Sequence, residues 1–308
     1  MKFVCEKDTL VKEIAIAQEI ISSKNIMSIL SNVLFEAKEN TLFIKATDLK
    51  VSFETKIPVE VAEEGSITLF CDTFLSVLRT LPSGDIEFEE KDNDVFVIKP
   101  LFKKKDIRLK TISSEKYPEM PVPGKEKFFE FSQKDILEMI SQTIFAVSDD
   151  ETRYYMNGIY LEKNDDCIIM VATDGRRLSY ISKKAENSIP DFKPIIIPPK
   201  ALSLVKKLSS GEGNISIAIN EKNIFFQFNN QKITSSLIDG TFPNYQKVIP
   251  DKQKYKITVG REDLVEALKM VSQLAEQKSG RICVNLKNKS FFLSSEETER
   301  GFAEEDVA

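Results

Sequence analysis

The sequence predicts an α+β chain built of tandem repeats, each with two helices packed on antiparallel sheets. Three observations predict it: landmarks that recur at a nearly constant spacing, apolar stripes at helical period, and apolar–polar alternation between those stripes. Ala46-Thr47-Asp48 recurs as Ala172-Thr173-Asp174, 126 residues on (48 to 174). The stripe Leu10, Ile14, Ala17, Ile21 recurs as Ile136, Ile140, Ile144, again 126 on (10 to 136). Leu81-Pro82-Ser83-Gly84 returns as Leu208-Ser209-Ser210-Gly211 after 127 (81 to 208), and Tyr117-Pro118 as Phe242-Pro243 after 125 (117 to 242). Four landmarks that agree within two residues hold a register that chance similarity does not keep. A third copy opens at Ile257, with the stripe Leu264, Leu268, Val271 placed 128 after Ile136 (136 to 264).

Within repeat one, a short strand leads into a helix near 8–22, followed by strands near 33–37, 41–47 and 51–59. The order then runs again, with a helix over 72–81 and strands near 86–90, 94–98 and 105–112. Asp72 is a candidate N-cap for the second helix, and Ser132 with Asp135 reads as a capping box for the third. Phe74, Leu75, Leu78 and Leu81 make a one-sided stripe. Ile215, Ile217, Ile219 and then Phe226, Phe228 alternate as strands with one wet face do. Helices with a single apolar face must bury it, and the sheets supply the surface. Residues 119–127 and 249–254 are short, Pro- and Lys-bearing linkers, which sets expected domains at 1–120, 128–248 and 255–308. By the pattern of the first two copies, the third carries only its first half and lacks about 60 residues. Half a domain cannot cover its own helix and sheet, so residues beyond about 255 are expected to be less ordered, or the native protein to be longer.

Composition narrows the function. The 308 residues are 42% hydrophobic and 30% charged, ordinary for a globular protein. Neither a signal-peptide core nor a bilayer-length apolar run stands in the sequence, and a cytoplasmic location is the expectation. Cys5, Cys71, Cys167 and Cys283 are far apart, and three lie in apolar strand-like stretches, Leu69-Phe70-Cys71 among them. Buried free thiols are therefore expected, not a metal or disulfide framework. The chain has no histidine, which removes the commonest general base and zinc ligand. Neither metal nor cofactor is expected. A net charge of −5 excludes a wholly basic nucleic-acid surface but leaves room for local basic faces.

Read in order, Met1-Lys2-Phe3, Arg153-Tyr154-Tyr155-Met156-Asn157-Gly158, Ala172-Thr173-Asp174-Gly175-Arg176-Arg177-Leu178 and Ile238-Asp239-Gly240-Thr241-Phe242-Pro243-Asn244-Tyr245 resemble one family. It is the beta subunit of bacterial DNA polymerase III, the replicative sliding clamp, and the resemblance runs over essentially the whole chain. It implies the DNA-clamp fold, three similar domains per subunit, and two full-length subunits closing head to tail into a ring around duplex DNA. It also implies a processivity factor and not an enzyme. The implied partners are double-stranded DNA without sequence preference, the DNA polymerase III alpha subunit, the ATP-driven clamp loader, and other polymerases and repair proteins that carry clamp-binding peptides. A ring holds DNA by topology, so a weakly basic bore inside an acidic shell suits a net −5.

The resemblance also points to residues. Lys24, Arg79, Lys200, Lys206 and Lys207 are candidates for the DNA-facing bore, although by charge alone they read as solvated helix faces. The peptide cleft carries over to Tyr155, Met156, Thr173, Gly175, Arg176, Leu178, Pro243 and Val248, with Arg153 and Lys247 able to hold acidic or carbonyl groups. Singly, Tyr155 and Leu178 read as core and Asp174-Gly175 as a hairpin turn; it is as a set that they form a pocket. In the family the last residues of the chain close this cleft, and they are missing here. For ring closure, Phe102, Lys103, Lys104 and Lys105 would face Glu297, Glu299 and Glu304, with Leu274 adding apolar packing. Two rival readings stand beside the clamp. Asp48 and Asp174 end corresponding strands, so an enzyme built on a carboxylate pair is conceivable. The other is a scaffold that collects peptides without encircling DNA.

Overall fold

β1 (Lys2–Glu6) ends on Glu6, whose carboxylate accepts the Asp8 and Thr9 amides at 2.9 and 2.6 Å and so starts α1 (Lys7–Ile20). A computed structural model describes residues 1–21, 28–91, 94–276, 279–287 and 290–307. Repeat one continues with β2 (Asn32–Lys38), β3 (Thr41–Thr47), β4 (Val51–Pro58), β5 (Glu60–Glu63), β6 (Gly65–Phe70), α2 (Cys71–Thr80), β7 (Asp85–Lys91), β8 (Val95–Pro100), β9 (Ile107–Lys110) and β10 (Ile112–Ser113). Repeat two runs β11 (Phe129–Ser132), α3 (Gln133–Thr143), β12 (Ile159–Asn164), β13 (Cys167–Thr173), β14 (Leu178–Lys184), β15 (Ile195–Ile197), α4 (Pro199–Leu208), β16 (Asn214–Ile219), β17 (Asn223–Phe228) and β18 (Gln231–Ser236). The remainder holds α5 (Arg261–Ser272), β19 (Ile282–Lys287), β20 (Ser290–Ser295) and β21 (Glu304–Asp306). No helix among the described residues is long and apolar enough to cross a membrane.

The two repeats share a pairing plan as well as an element order. β1 pairs with β7 as β11 does with β16; β2 with β3 and β6 as β12 does with β13 and β15. Register agrees residue by residue. Asn32 opposes Phe70 and Ile159 opposes Ile197, both members displaced by 127 (32 to 159, 70 to 197). Thr47 opposes Ser52 and Thr173 opposes Leu178, both displaced by 126 (47 to 173, 52 to 178).

Packing does not break between these repeats. Met1–Tyr245 forms one compact unit and Gln246–Ala308 a second. Inside the first, β4 pairs antiparallel with β18 from Val51 opposite Ser235 to Thr55 opposite Gln231, giving the nine-stranded order β10-β6-β2-β3-β4-β18-β17-β16-β11. Phe53 and Ile233, directly opposite across this seam, are fully buried on the face covered by helices, and the apolar core runs through both repeats. Lys45, Glu54 and Lys232 stand on the other face, because strand side chains alternate. Glu36–Lys45 (2.6 Å), Lys45–Glu54 (3.7 Å) and Glu54–Lys232 (2.7 Å) form a ladder of alternating charge over four strands. Asn230 closes one end, donating to Thr55 Oγ1 at 3.1 Å and the Lys56 carbonyl at 2.9 Å.

The other sheets are five-stranded, β5-β1-β7-β8-β9, and four-stranded, β14-β13-β12-β15. Phe3, Phe88 and Phe96 stack under α2, where Phe74 meets Phe88 and Phe96 edge-on. In the Gln246–Ala308 unit, α5 lies on the three-stranded sheet β19-β20-β21 around Ala267, Val271, Leu293, Ala303 and Val307.

Several expectations need correction. Asp72 does not cap α2: the helix starts at Cys71 with Phe70 in the cap position, and Asp72 sits in the first turn, where it suits the helix dipole and accepts Gln18 Nε2 at 2.6 Å. Ser132 does cap α3, accepting the Asp135 amide at 3.4 Å, but Asp135 turns its carboxylate to Lys183. The α1 stripe ends on buried Ile20, since the helix stops there and Ile21 is outside it. On α5 the covered face is Leu264, Ala267 and Val271, with Leu274 packing against it just past the helix end, while Leu268 points to solvent. Cys71 opens a helix instead of ending a strand; both it and Cys5 are buried, and burial pushes their thiols up to about 12. All four cysteines are free, with Cys167 and Cys283 half-buried.

A shared core and sheet make Met1–Tyr245 a single cooperative unit. Ile233→Ala is expected to cost about 2–4 kcal/mol. Urea unfolding followed by hydrogen exchange should show the same lowered midpoint in β2–β4 and in β16–β18. A shift confined to repeat two would contradict the continuous core.

Candidate functional site

The β13–β14 hairpin turns through Asp174-Gly175-Arg176-Arg177, and its bonds are local. Asp174 Oδ1 accepts the Arg176 and Arg177 amides at 2.9 and 3.0 Å, and Oδ2 pairs with Arg177 Nε at 3.1 Å. The Arg177 and Arg176 amides, helped by the Arg177 guanidinium, pull this carboxyl down to about 2. Thr173 Oγ1 accepts the Gly175 amide at 3.1 Å and donates to the Arg177 carbonyl at 2.7 Å. Gly175 has φ +85°, and a Cβ there would stand 2.8 Å from Arg153 Nη1, so only glycine lets the guanidinium lie across the turn. Arg153 is fixed by Asp150 (2.8 Å) and by the Asp174 carbonyl (3.4 Å), with the buried Met156 beside the same glycine.

A second neighbourhood adjoins it. Tyr155 and Leu178 pack against Ile169, Val171, Ile196, Phe242 and Tyr245. Tyr160 stacks on Phe242 with centroids 4.8 Å apart. Glu162 accepts the hydroxyls of both Tyr160 (3.0 Å) and Tyr245 (2.5 Å). Burial and that carboxylate raise Tyr160 to about 12. The structure thus gathers Arg153, Met156, Thr173 and Gly175 around one turn, and Tyr155 and Leu178 on the adjoining aromatic base. Pro243 is half-buried after Phe242, and Arg176 is exposed at the turn tip. Lys247 and Val248 are exposed and belong to the second unit. Glu162, Tyr160 and Arg177, whose guanidinium lies 5.4 Å over the Phe145 ring, were missed by the sequence reading. The same-face spacing of Tyr160 and Glu162 on one strand was the available signal.

The candidate bore residues divide. Lys24 lies outside the described residues. Arg79, on the last turn of α2, and Lys206, on the last turn of α4, are exposed and without an ion pair among the described residues. Lys207 pairs with Glu19 of α1. Lys200 is a strut rather than a free cation: its Nζ donates to the Ile20 carbonyl at 2.8 Å and meets Asp48 Oδ2 at 2.5 Å, which ties α4 to repeat one. Although burial raises the Asp48 carboxyl, Lys200 and the Val51 and Lys50 amides leave it below its ordinary value. Asp48 and Asp174 are therefore equivalent turn caps in separate sheets, each already occupied by local donors, and they form no carboxylate pair.

Of the ring-closure candidates, Phe102 is 78% exposed on the β8–β9 connection, and Lys103, Lys104 and Lys105 follow it into solvent. Glu297, Glu299 and Glu304 are exposed. Leu274 is half-buried and packs against the Val271 core of its own unit. Among the described residues β9, β14 and β21 each leave one edge without a strand partner.

Comparison with known proteins places this arrangement. Sequence models of the DNA polymerase III beta subunit match in series: its N-terminal domain over residues 1–121, its central domain over 130–244 and its C-terminal domain over 246–308. The chain belongs to the DNA polymerase III beta-subunit family, the beta sliding clamps. The beta sliding clamp of Treponema pallidum is 43% identical over 312 residues, covering 100% of this chain and 84% of that protein. That of Rickettsia bellii is 31% identical, covering 100% and 82%. In structure the chain is similar to the DNA polymerase sliding clamp of Bacillus subtilis (TM-score 0.93, 26% identity, 100% of this chain and 83% of that one). It is also similar to a Pseudomonas aeruginosa sliding clamp solved bound to griselimycin (TM-score 0.91, 28% identity, 100% and 83%). The helices on antiparallel sheets are those of the clamp fold.

In this clamp-family chain, Asp174 gives a pH-dependent test of the turn. A carboxyl held below its unfolded value adds stability that is fully present above about pH 4 and is lost as pH falls through about 2. An NMR titration should place the Asp174 midpoint near 2. Asp174→Ala should displace Arg177 and the Arg176 and Arg177 amides while leaving signals outside the turn unmoved. A midpoint near 4 would show that the turn bonds do not hold in solution.

Proposed function

We propose that this chain acts as a DNA sliding clamp: a processivity factor, not an enzyme, that encircles duplex DNA and tethers the replicative polymerase and other partners through the cleft around Met156 and Leu178. The observation that carries this reading is the β4–β18 seam, which joins two repeated modules edge to edge with their helices on one face. One such joint can recur. Among the described residues β14, the repeat-two counterpart of β4, has a free edge, and β9, the repeat-one counterpart of β18, also has one. β21, paired to β20 as β4 is to β3, carries Glu304, Glu305 and Asp306, opposite in sign to the lysines that lead into β9. Edges of complementary type and charge on one chain favour head-to-tail association of copies. Such exposed pairs are worth about 0–1 kcal/mol each, so they select geometry while strand pairing and apolar contact hold it.

On this reading the modules are 1–120, 128–248 and the segment from 255, with Arg79 and Lys206, which have no ion pair among the described residues, facing DNA. Lys200 and Lys207 serve mainly to brace the seam. A ring that must slide should avoid tight phosphate contacts, which would anchor it in a salt-dependent way. The cleft combines apolar Met156, Leu178 and Pro243 with Arg153 and Arg176, which suits a short peptide carrying Leu or Phe anchors and carbonyl or acidic groups. Partners of that kind include the polymerase alpha subunit, the clamp loader and repair polymerases, all working on cytoplasmic DNA.

Loading onto DNA tests the encircling role. A clamp assembled by its loader on nicked circular DNA should stay bound through gel filtration at high salt and be lost once the circle is cut to a linear duplex. Equal loss from both forms would leave the peptide-collecting scaffold as the better reading. Leu178→Asp should abolish capture of a Gln-Leu-Phe type peptide without altering retention on circles.

A further inference from the structure

We propose a second peptide-binding groove, beneath the 117–123 linker, that takes extended segments pairing an apolar side chain with a lysine or arginine. A cavity of about 440 Å³ lies there, between the linker and the nine-stranded sheet face that points away from the helices. That volume is within the range of small-ligand and peptide-anchor sites. Its floor is the Glu36–Lys45–Glu54–Lys232 ladder, and its walls include Leu34, Tyr117 and Met120.

The linker is pinned at its entry and crosses the cavity as a strap. Tyr117 OH donates to the Asn32 carbonyl at 3.4 Å, Thr68 Oγ1 donates to the Ile112 carbonyl at 2.8 Å, and Ser66 and Ser114 hydroxyls meet at 2.7 Å. Past Tyr117 the chain reads Pro118-Glu119-Met120-Pro121-Val122-Pro123, stiffened by three prolines and lacking their amide donors. Val122 is 77% exposed at the rim. An apolar strap over a roomy floor is pre-ordered, so little entropy is lost when a segment slides beneath it.

Charge selects the occupant. Glu36, Glu54 and Glu119 line the cavity against Lys45 and Lys232. Both lysines are spent inside the ladder, and Glu119 has no ion pair among the described residues. The groove is therefore acidic at its mouth, opposite in sign to the Arg153 and Arg176 side of the cleft in repeat two. Tyr117-Pro118 is the repeat-one counterpart of Phe242-Pro243, so duplication has left two grooves beside equivalent linkers, tuned to opposite charge.

A fluorescein-labelled decapeptide alternating Leu and Lys, with a Leu/Glu decapeptide as control, tests this by anisotropy on the full chain. The basic peptide should bind saturably and the acidic one should not. Glu119→Lys with Val122→Lys, both at exposed positions, should weaken binding roughly tenfold or more, and Leu178→Asp should leave it unchanged. The chain has no tryptophan, so Val122→Trp supplies a reporter at the rim whose emission should shift on binding. Binding that survives the Glu119/Val122 reversal, or that leaves the indole emission of the Val122→Trp variant unmoved, overturns the proposal. So does the absence of saturable binding. None of these results bears on the repeat-two cleft, which is scored with its own peptide.

Discussion

An exposed strand edge must be paired, covered or blunted, and this constraint organises the chain. Repeat one offers β4 as an edge and repeat two offers β18; joining them makes a nine-stranded sheet out of two shorter ones and lets one apolar core run beneath both. The supporting contacts are layered on the same line. Phe53 and Ile233 meet on the helix side, the Glu36–Lys45–Glu54–Lys232 ladder covers the opposite side, and Lys200 braces α4 against Asp48 and the end of α1. Helices confined to one face of a joined sheet suit a band around a polyanion, because they present surfaces whose backbone groups are already satisfied.

Duplication explains both the similarities and the differences between the halves. Asp48 and Asp174 each bind two amides of their own turn, yet the remaining oxygen of Asp48 takes a lysine from the other repeat, whereas that of Asp174 takes Arg177 from the same turn. The first has become part of a seam. The second has stayed part of an open surface, where Gly175 admits Arg153 and Met156 lies beneath. The same divergence separates the acidic groove under residues 117–123 from the basic-sided cleft near 242–245.

Local features of this plan were legible in the sequence because they repeat at short period or at fixed long offset. The α1 and α3 stripes, the Ala-Thr-Asp turns and the clamp-family motifs all follow from residue order alone, and the strand register bears out the offset of 126–127 residues. What could not be read is pairing chosen at long range. Lys200 on a helix face reads as solvated until Asp48, 152 residues away, is found beside it. Leu274 follows α5 with no motif to say what it packs against, and its contact with the Val271 core of its own unit shows only in the fold. Asp72 follows a cap pattern, yet β6 runs directly into α2 and leaves the cap position to Phe70. The i, i+2 spacing of Tyr160 and Glu162 is visible in the sequence, but that Tyr245, 83 residues away, converges on the same carboxylate is not.

Native-state hydrogen exchange across β4 and β18 tests the edge-to-edge joint most directly. The account predicts that amides bridging Val51–Thr55 and Gln231–Ser235 exchange as slowly as those of the interior strands β3 and β17. Exchange of the β18 amides at the rate of a free edge, with β17 still protected, would contradict it.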